Sequence, residues 1–444
     1  MAVPTVIGQL IVLIYNMADT FFIGRTGDPY MVAAASLILP VFNVSLSLAS
    51  IAGVGGSALV SRLMGQGRED EAQRVYRFSV FLSLSLAAVF SVGVLLTMQP
   101  LLRLLGAGAE TFAFARAYAL CVIVAGGIPT IMTNVFSNFV RSIGESGKAG
   151  FGVTMGGIVN ILLDPLFMFV LLPAGSEIIG AGIATCLSNC ISCLYFVLVI
   201  RRLGDRSVLR LGGSRRRPEK ASISRIFAVG VPSAVATLLF DLDYIVIDRL
   251  MSGYGDIALA AVGIVLKAER LPLNIGVGIC QGMVPIVAYN YASGDHRRMN
   301  AAARFSLLLG IVCAVVSITL YELFAPDILR FFISDAQTVA LGTTFLRARC
   351  LATVFMFMSF YHVNLFNGYG RGREALLLGV VRWAVFNIPM LFLLDRLVGM
   401  VGIVWSQLVA DICTVALSLY VHRRFLKNNG LTGTSFVKEP QREG

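Results

Sequence analysis

The sequence predicts an all-α integral membrane protein, with twelve transmembrane helices in two six-helix bundles. Three observations carry that reading. Of 444 residues, 57% are hydrophobic and 14% charged, with a mean hydropathy of +0.80. A soluble fold of this size needs about 25% charged residues to cover its surface. Apolar runs of about 20 residues recur along the chain, each long enough to cross a bilayer as a helix that satisfies its own backbone. The period-two alternation of a barrel strand is absent from them. Finally, the second half repeats the first.

The spans read as 2–24, 31–61, 77–99, 115–140, 148–172, 178–200, 224–250, 257–289, 303–325, 341–367, 375–394 and 398–422. The first is expected to be a retained helix and not a cleaved signal. It has no basic leader, and Asp19, Arg25 and Asp28 precede the small residues Ala33, Ala34 and Ala35. Organisation follows: residues 1–200 form an N-terminal lobe, 201–223 a cytoplasmic linker, 224–425 a C-terminal lobe and 426–444 a disordered cytoplasmic tail.

A net charge of +11 raises nucleic acid as a partner, but there the basic residues would stripe a soluble face. Here they sit between apolar runs. Arg62, Arg68, Arg74 and Arg77, then Arg141 and Lys148, then the linker from Arg201 to Arg225, all fall on one side. The positive-inside rule therefore puts both termini in the cytoplasm of a multi-pass protein of the cell membrane. The charge of the Gly212–Pro218 stretch reads as orientation signal or as a site for anionic lipid. All eight cysteines, Cys121, Cys186, Cys190, Cys193, Cys280, Cys313, Cys350 and Cys413, lie in apolar runs, so no disulfide is expected. The Cys190–Cys193 pair has no His or acid nearby to suggest a metal.

The repeat is read from residue pairs. Pro4 and Pro232 stand 228 apart, as do Gly27-Asp28 and Gly255-Asp256. Arg77-Phe78-Ser79 and Arg304-Phe305-Ser306, Arg103 and Arg330, and Asn160-Ile161 and Asn387-Ile388 all stand 227 apart. Six helices is an even number, so both copies cross in the same sense and enclose a cavity about an axis along the membrane normal. That is a transporter design.

Polar residues inside the spans carry the chemistry. A charge at mid-membrane costs about 3 kcal/mol, so Asp19 is expected to face a cavity, be paired or be protonated; otherwise it is an interfacial residue near the helix end. Asn160 and Asp164 stand one turn apart on one helix face, with Pro165 making a capping role for the acid the other reading. Thr185 offers a neutral oxygen, or simply packs helices. Together these four make an oxygen-rich site that suits a proton or a sodium ion. In the second half, Asp241, Asp243, Lys267, Glu269 and Arg270 are expected to pair with one another or to meet substrate. His362, Asn364 and Asn367 are candidates for cavity lining. No zinc motif, nucleophile elbow or phosphate loop is present, so no enzyme activity and no cofactor are expected, and an ion gradient must supply the energy.

The runs Tyr15-Asn16-Met17-Ala18-Asp19-Thr20-Phe21-Phe22-Ile23-Gly24-Arg25, Gly65-Gln66-Gly67-Arg68, Lys267-Ala268-Glu269-Arg270-Leu271-Pro272, Gln281-Gly282-Met283-Val284-Pro285 and Tyr289-Asn290-Tyr291-Ala292 resemble the multidrug and toxic compound extrusion (MATE) family across nearly the whole chain. The resemblance implies two lobes in a V and export of cationic amphipathic compounds in exchange for protons or sodium. It places Asp19, Asn160, Asp164 and Thr185 at the N-lobe ion site, Tyr15 beside it, and Pro4 at the bend of the first helix. The tenth span lacks the acid that some branches carry there. The alternatives are a flippase for lipid-linked sugars, kept open by Lys267 and Arg270, and a membrane-embedded transferase, for which no nucleophile or metal set is visible. A monomer is expected.

Overall fold

The computed structural model describes residues 2–173, 175–204, 207–210, 218–333 and 335–429. Ten helices are long and apolar enough to span a membrane, and two bent pairs supply one span each, giving twelve among the described residues. The first lobe holds α1 (Ala2–Gly24), α2 (Pro29–Gly65), α3 (Glu69–Leu96), α4 (Ala109–Ala125 with Gly127–Ser142), α5 (Ser146–Leu171) and α6 (Glu177–Leu203). The second holds α7 (Lys220–Ser252), α8 (Asp256–Ser293), α9 (His296–Phe332), α10 (Ala336–Cys350 with Thr353–Tyr369), α11 (Gly372–Val398) and α12 (Met400–Asn428).

Local chemistry sets the ends. At the start of α2, Gly27 takes φ +72°, the Asp28 carboxylate accepts from the Tyr30 amide at 2.8 Å, and Pro29 occupies the first turn, where no helical partner exists for an N–H. The helices outrun the apolar windows, most clearly α2 to Gly65 and α9 to Phe332, because polar turns beyond the bilayer continue the same helix. A further short helix, Met98–Leu104, follows α3. The tail expected from 426 is still helical to Asn428, and the remainder of it, 430–444, lies outside the described residues, as do 205–206 and 211–217 of the linker.

The repeat is visible in three dimensions. The two bent spans are the fourth of each lobe, broken by 46° and 44°. The first breaks at Gly126 after a π-helical stretch, Leu120–Ala125, a common cause of a sharp kink. Ser91 Oγ donates to the Ile123 carbonyl at 2.9 Å and so satisfies backbone at the break. The lobes meet along α2 with α7 and along α1 with α8, pairs that the repeat exchanges. At Gly230 a Cβ would stand 1.9 Å from the Ile51 carbonyl oxygen; at Gly278, 227 residues beyond Ile51, it would stand 2.7 Å from Val6 Cα. With Gly65 similarly pressed on the Tyr289 carbonyl, these approaches bring the lobes together in the half of the bundle that carries Ala2 and Asn428.

Candidate ion and substrate site between the lobes

Helix α1 lies against α5 in parallel register. A Cβ at Gly150 would sit 2.3 Å from the Pro4 carbonyl oxygen, and one at Gly157 2.5 Å from Ile11 Cγ2, the same step along both helices. Continuing that step brings Asp19 level with Asp164, which lies within electrostatic reach of it. Helix α6 runs antiparallel beside them, its Ser192 packed on Gly156 and its Thr185 facing Asn160. Only glycine at 150, 156 and 157 lets the three helices approach this closely.

The four residues expected to form an ion site are thus assembled. Asn160 Nδ2 lies 3.3 Å from Asp164 Oδ1 and 3.4 Å from Thr185 Oγ1. Tyr118, on α4, donates to Asp19 Oδ2 at 3.4 Å, a partner that sequence reasoning missed. Three acceptor oxygens, Asp19 Oδ1, Asn160 Oδ1 and Asp164 Oδ2, are buried without a hydrogen-bond partner. Burying such groups unsatisfied costs about 1–3 kcal/mol each, and more for charged ones. Pro4 lies in α1, which runs as one continuous helix from Ala2 to Gly24.

A cavity of about 510 Å³ separates the lobes. Tyr15, Asn160, Thr185, Asp241, Arg270, Asn364 and Asn367 line it, as do Asn16, Asn134 and Arg141. Its floor is tied across the seam: Gln9 Nε2 donates to Gln281 Oε1 at 3.0 Å, and Arg141 Nη1 reaches the same oxygen at 3.3 Å.

The charged cluster of the second half departs from expectation. Glu269 pairs with Arg349 of α10, at 2.5 Å, and not with Lys267 or Arg270. Lys267 is exposed, away from the cavity, and forms no ion pair among the described residues. Arg270 lies over the Tyr244 ring at 5.2 Å and faces the cavity, as Asp241 does. Asp243 is buried behind the wall, accepting from Asn387 Nδ2 at 2.6 Å. Asn387 and Gln407 connect it to a second buried pair, Arg382 with Asp411 at 2.8 Å, and Gln407 also touches Arg349 at 3.5 Å. His362 does not line the cavity either. It is buried beside Tyr361 and His422, with its Nδ1 against the Met358 carbonyl. Cys190 and Cys193 are free thiols, and among the described residues no group of three His, Cys, Asp or Glu side chains offers a metal site.

The family model MatE matches residues 4–166 and again 232–393, so its two matches start 228 residues apart, as the repeat does. The chain belongs to the MATE family. It is 30% identical over 422 residues to the multidrug export protein MepA of Staphylococcus saprophyticus, covering 95% of this chain and 92% of that one. The corresponding protein of Staphylococcus haemolyticus is 28% identical over 420 residues, covering 95% and 91%. Among solved MATE structures, one described as an outward-facing multidrug resistance transporter of the MOP superfamily superposes with a TM-score of 0.91 at 22% identity, covering 97% and 96%. A point mutant of the Vibrio cholerae MATE transporter VcmN superposes with a TM-score of 0.88 at 20% identity, covering 96% and 95%. The protein is therefore a multi-pass membrane protein of a family whose relatives here are export transporters and not enzymes.

Proposed function

We propose that this protein is a secondary active antiporter that exports cationic amphipathic compounds by alternating access, in exchange for protons or sodium. One observation carries the reading: Asp19 and Asp164 share a buried envelope in which three acceptor oxygens lack donors. Two adjacent carboxylate charges in an apolar bundle repel each other and are poorly solvated, so one cation is needed to neutralise them. A proton or sodium entering from outside meets that need and favours the conformation with weak drug affinity; its loss inward restores a negative site that favours the drug-accepting conformation. Ion and drug are linked because they prefer different conformations. The proton is the favoured ion, since a carboxylate pair holds it without a fixed coordination geometry. Asn160 and Thr185 would serve sodium as neutral ligands. The expected result is proton release when a cationic dye is added to purified protein without sodium. No release at any sodium concentration, with dye affinity rising or falling with sodium, would replace the proton by sodium.

The proposed orientation has both termini in the cytoplasm, and the protein acting as a monomer. In a cysteine-free background, a cysteine replacing exposed Asp70 should react with an impermeant maleimide only from the cytoplasmic face, and one replacing exposed Thr97 only from outside. The reverse labelling overturns the orientation.

A second reading, translocation of a lipid-linked sugar, is favoured by the cavity charge: Arg141 and Arg270 line it, with Asp241 as the one acid among the described residues. Lys267, which also suggested it, lies elsewhere. In vesicles the antiporter reading expects dye efflux driven by an ion gradient and no movement of a lipid-linked pyrophosphate sugar; the opposite pattern selects the flippase.

A further inference from the structure

A second polar cavity, of about 410 Å³, lies at the end of the bundle that carries Ala2 and Asn428, on the seam between the lobes. Its wall takes Arg62 and Gln66 from the end of α2, Arg225 from the start of α7, and Tyr291, His296 and Tyr369 from the ends of α8, α9 and α10. Two guanidinium groups of opposite lobes thus share one pocket, and no carboxylate lines it among the described residues. Two carboxylates near it are engaged elsewhere, Glu71 with Arg74 at 2.7 Å and Glu219 with Arg68 at 2.9 Å.

Arg62 is held in place and left unsatisfied. Its Nε donates to the Ala58 carbonyl of its own helix at 3.2 Å. Its Nη1 fills the space that a Cβ at Gly370 would need, 1.4 Å away, so the α2 arginine rests on the glycine that caps α10, in the other lobe. Gly370 is at φ +73°, a conformation that strains any residue with a Cβ. Arg62 Nη2, however, is buried with no hydrogen-bond partner. Like charges facing each other across a seam weaken it, and an unpaired buried guanidinium N–H is costly. An anion seated between Arg62 and Arg225 removes both penalties.

We propose that this pocket binds a phosphate-bearing anion, which bridges the lobes and holds them closed at this end. A guanidinium fork matches phosphate oxygens in bidentate fashion, and the Tyr291 and Tyr369 hydroxyls and the Gln66 amide supply further donors. Tyr291 is braced against Tyr369, with ring centroids 5.1 Å apart, so the wall is preorganised. Phosphate is also the anion that a membrane boundary presents at high density, as lipid headgroups. Free phosphate and an anionic phospholipid headgroup share this chemistry. Because the donors come from both lobes, the anion binds the closed seam and not the open one, and shifts the population accordingly.

The test uses delipidated full-length protein in neutral detergent, titrated with inorganic phosphate, with short-chain phosphatidylglycerol, or with chloride at matched ionic strength. Wild type is expected to show a saturable rise in unfolding midpoint with at least one phosphate probe and none with chloride. A response to phosphate alone assigns free phosphate, one to the lipid alone assigns the headgroup, and one to both leaves the pocket selective for the phosphate group itself. Arg225→Gln, at an exposed position that should not disturb folding, weakens the apparent affinity at least tenfold, and Arg62→Gln does the same. Spin labels at Asp70 and Arg373, exposed on opposite lobes, report the bridging as a gain in the short-distance population. No midpoint shift with either probe, an undiminished shift in Arg225→Gln, or binding without a change in the label distances overturns the proposal.

Discussion

Replacing Asp164 with Asn is expected to reduce gradient-driven efflux at least tenfold while the protein still reaches the membrane and folds. The amide keeps the shape of the carboxylate and sits in the same packed position between α1 and α6, so the close helix contacts at Gly150 and Gly157 are untouched. What is lost is the negative charge that a cation must neutralise. Asp19→Asn is expected to act alike, because Asp19 shares the same envelope and its Oδ1 is one of the three oxygens without a donor. Tyr118→Phe removes a single long hydrogen bond to Asp19 and should have a smaller effect. Efflux of a cationic dye from cells and from vesicles with an imposed pH or sodium gradient measures the loss, and size-exclusion chromatography in detergent checks the fold. Wild-type efflux from either Asn variant would remove these acids from the coupling site.

Much of this was legible in the sequence, for physical reasons. A bilayer forces each spanning helix to be apolar over a fixed length, so the twelve runs could be counted directly. Within such a run a polar residue is expensive, and the i, i+4 spacing of Asn160 and Asp164 already set them on one face. The partners across helices were not legible. Tyr118 reads as one more aromatic in an apolar run, and nothing in its own helix marks it as the partner of Asp19, although Gly126-Gly127 and Pro129 do announce the bend that follows it.

The second lobe misled for a related reason. Lys267, Glu269 and Arg270 are adjacent in sequence, but neighbours on a helix point in different directions, and these three face outward, into the lobe and into the cavity respectively. Glu269 therefore finds its partner in Arg349, 80 residues on in the chain and buried in α10, a pairing across helices that sequence neighbourhood does not show. The repeat held the missing signal in part. Asn387 matches Asn160 at 227 residues, yet the position matching Asp164 is the buried apolar Leu391, and the acid beside Asn387 is Asp243 from α7. The two lobes thus keep a matching amide and draw the neighbouring acid from different helices. With two arginines already paired to Glu269 and Asp411, Asp243 is the acid of that cluster left without an ion pair among the described residues.

That arrangement makes Glu269→Gln the variant expected to destabilise most. Glu269 and Arg349 are both buried, their contact is the shortest ion pair among the described residues, and Arg349 Nη1 already lacks a partner. Removing the carboxylate's charge leaves a guanidinium in the lobe interior, a loss of about 3–5 kcal/mol for stranding one member of a buried pair. Asp411 does not rescue it, being engaged with Arg382 and with Gln407. The unfolding midpoint in detergent should fall by several degrees, and the membrane level with it. Lys267→Ala, in contrast, should leave the midpoint unchanged, since Lys267 is exposed and makes no ion pair among the described residues. The control is the double replacement Glu269→Leu with Arg349→Met: an apolar pair of similar volume often matches or exceeds a buried ion pair in stability, so much of the midpoint should return. If Glu269→Gln is as stable as wild type while the range of exported dyes changes, the pair acts on substrate and not on the packing of α8 against α10.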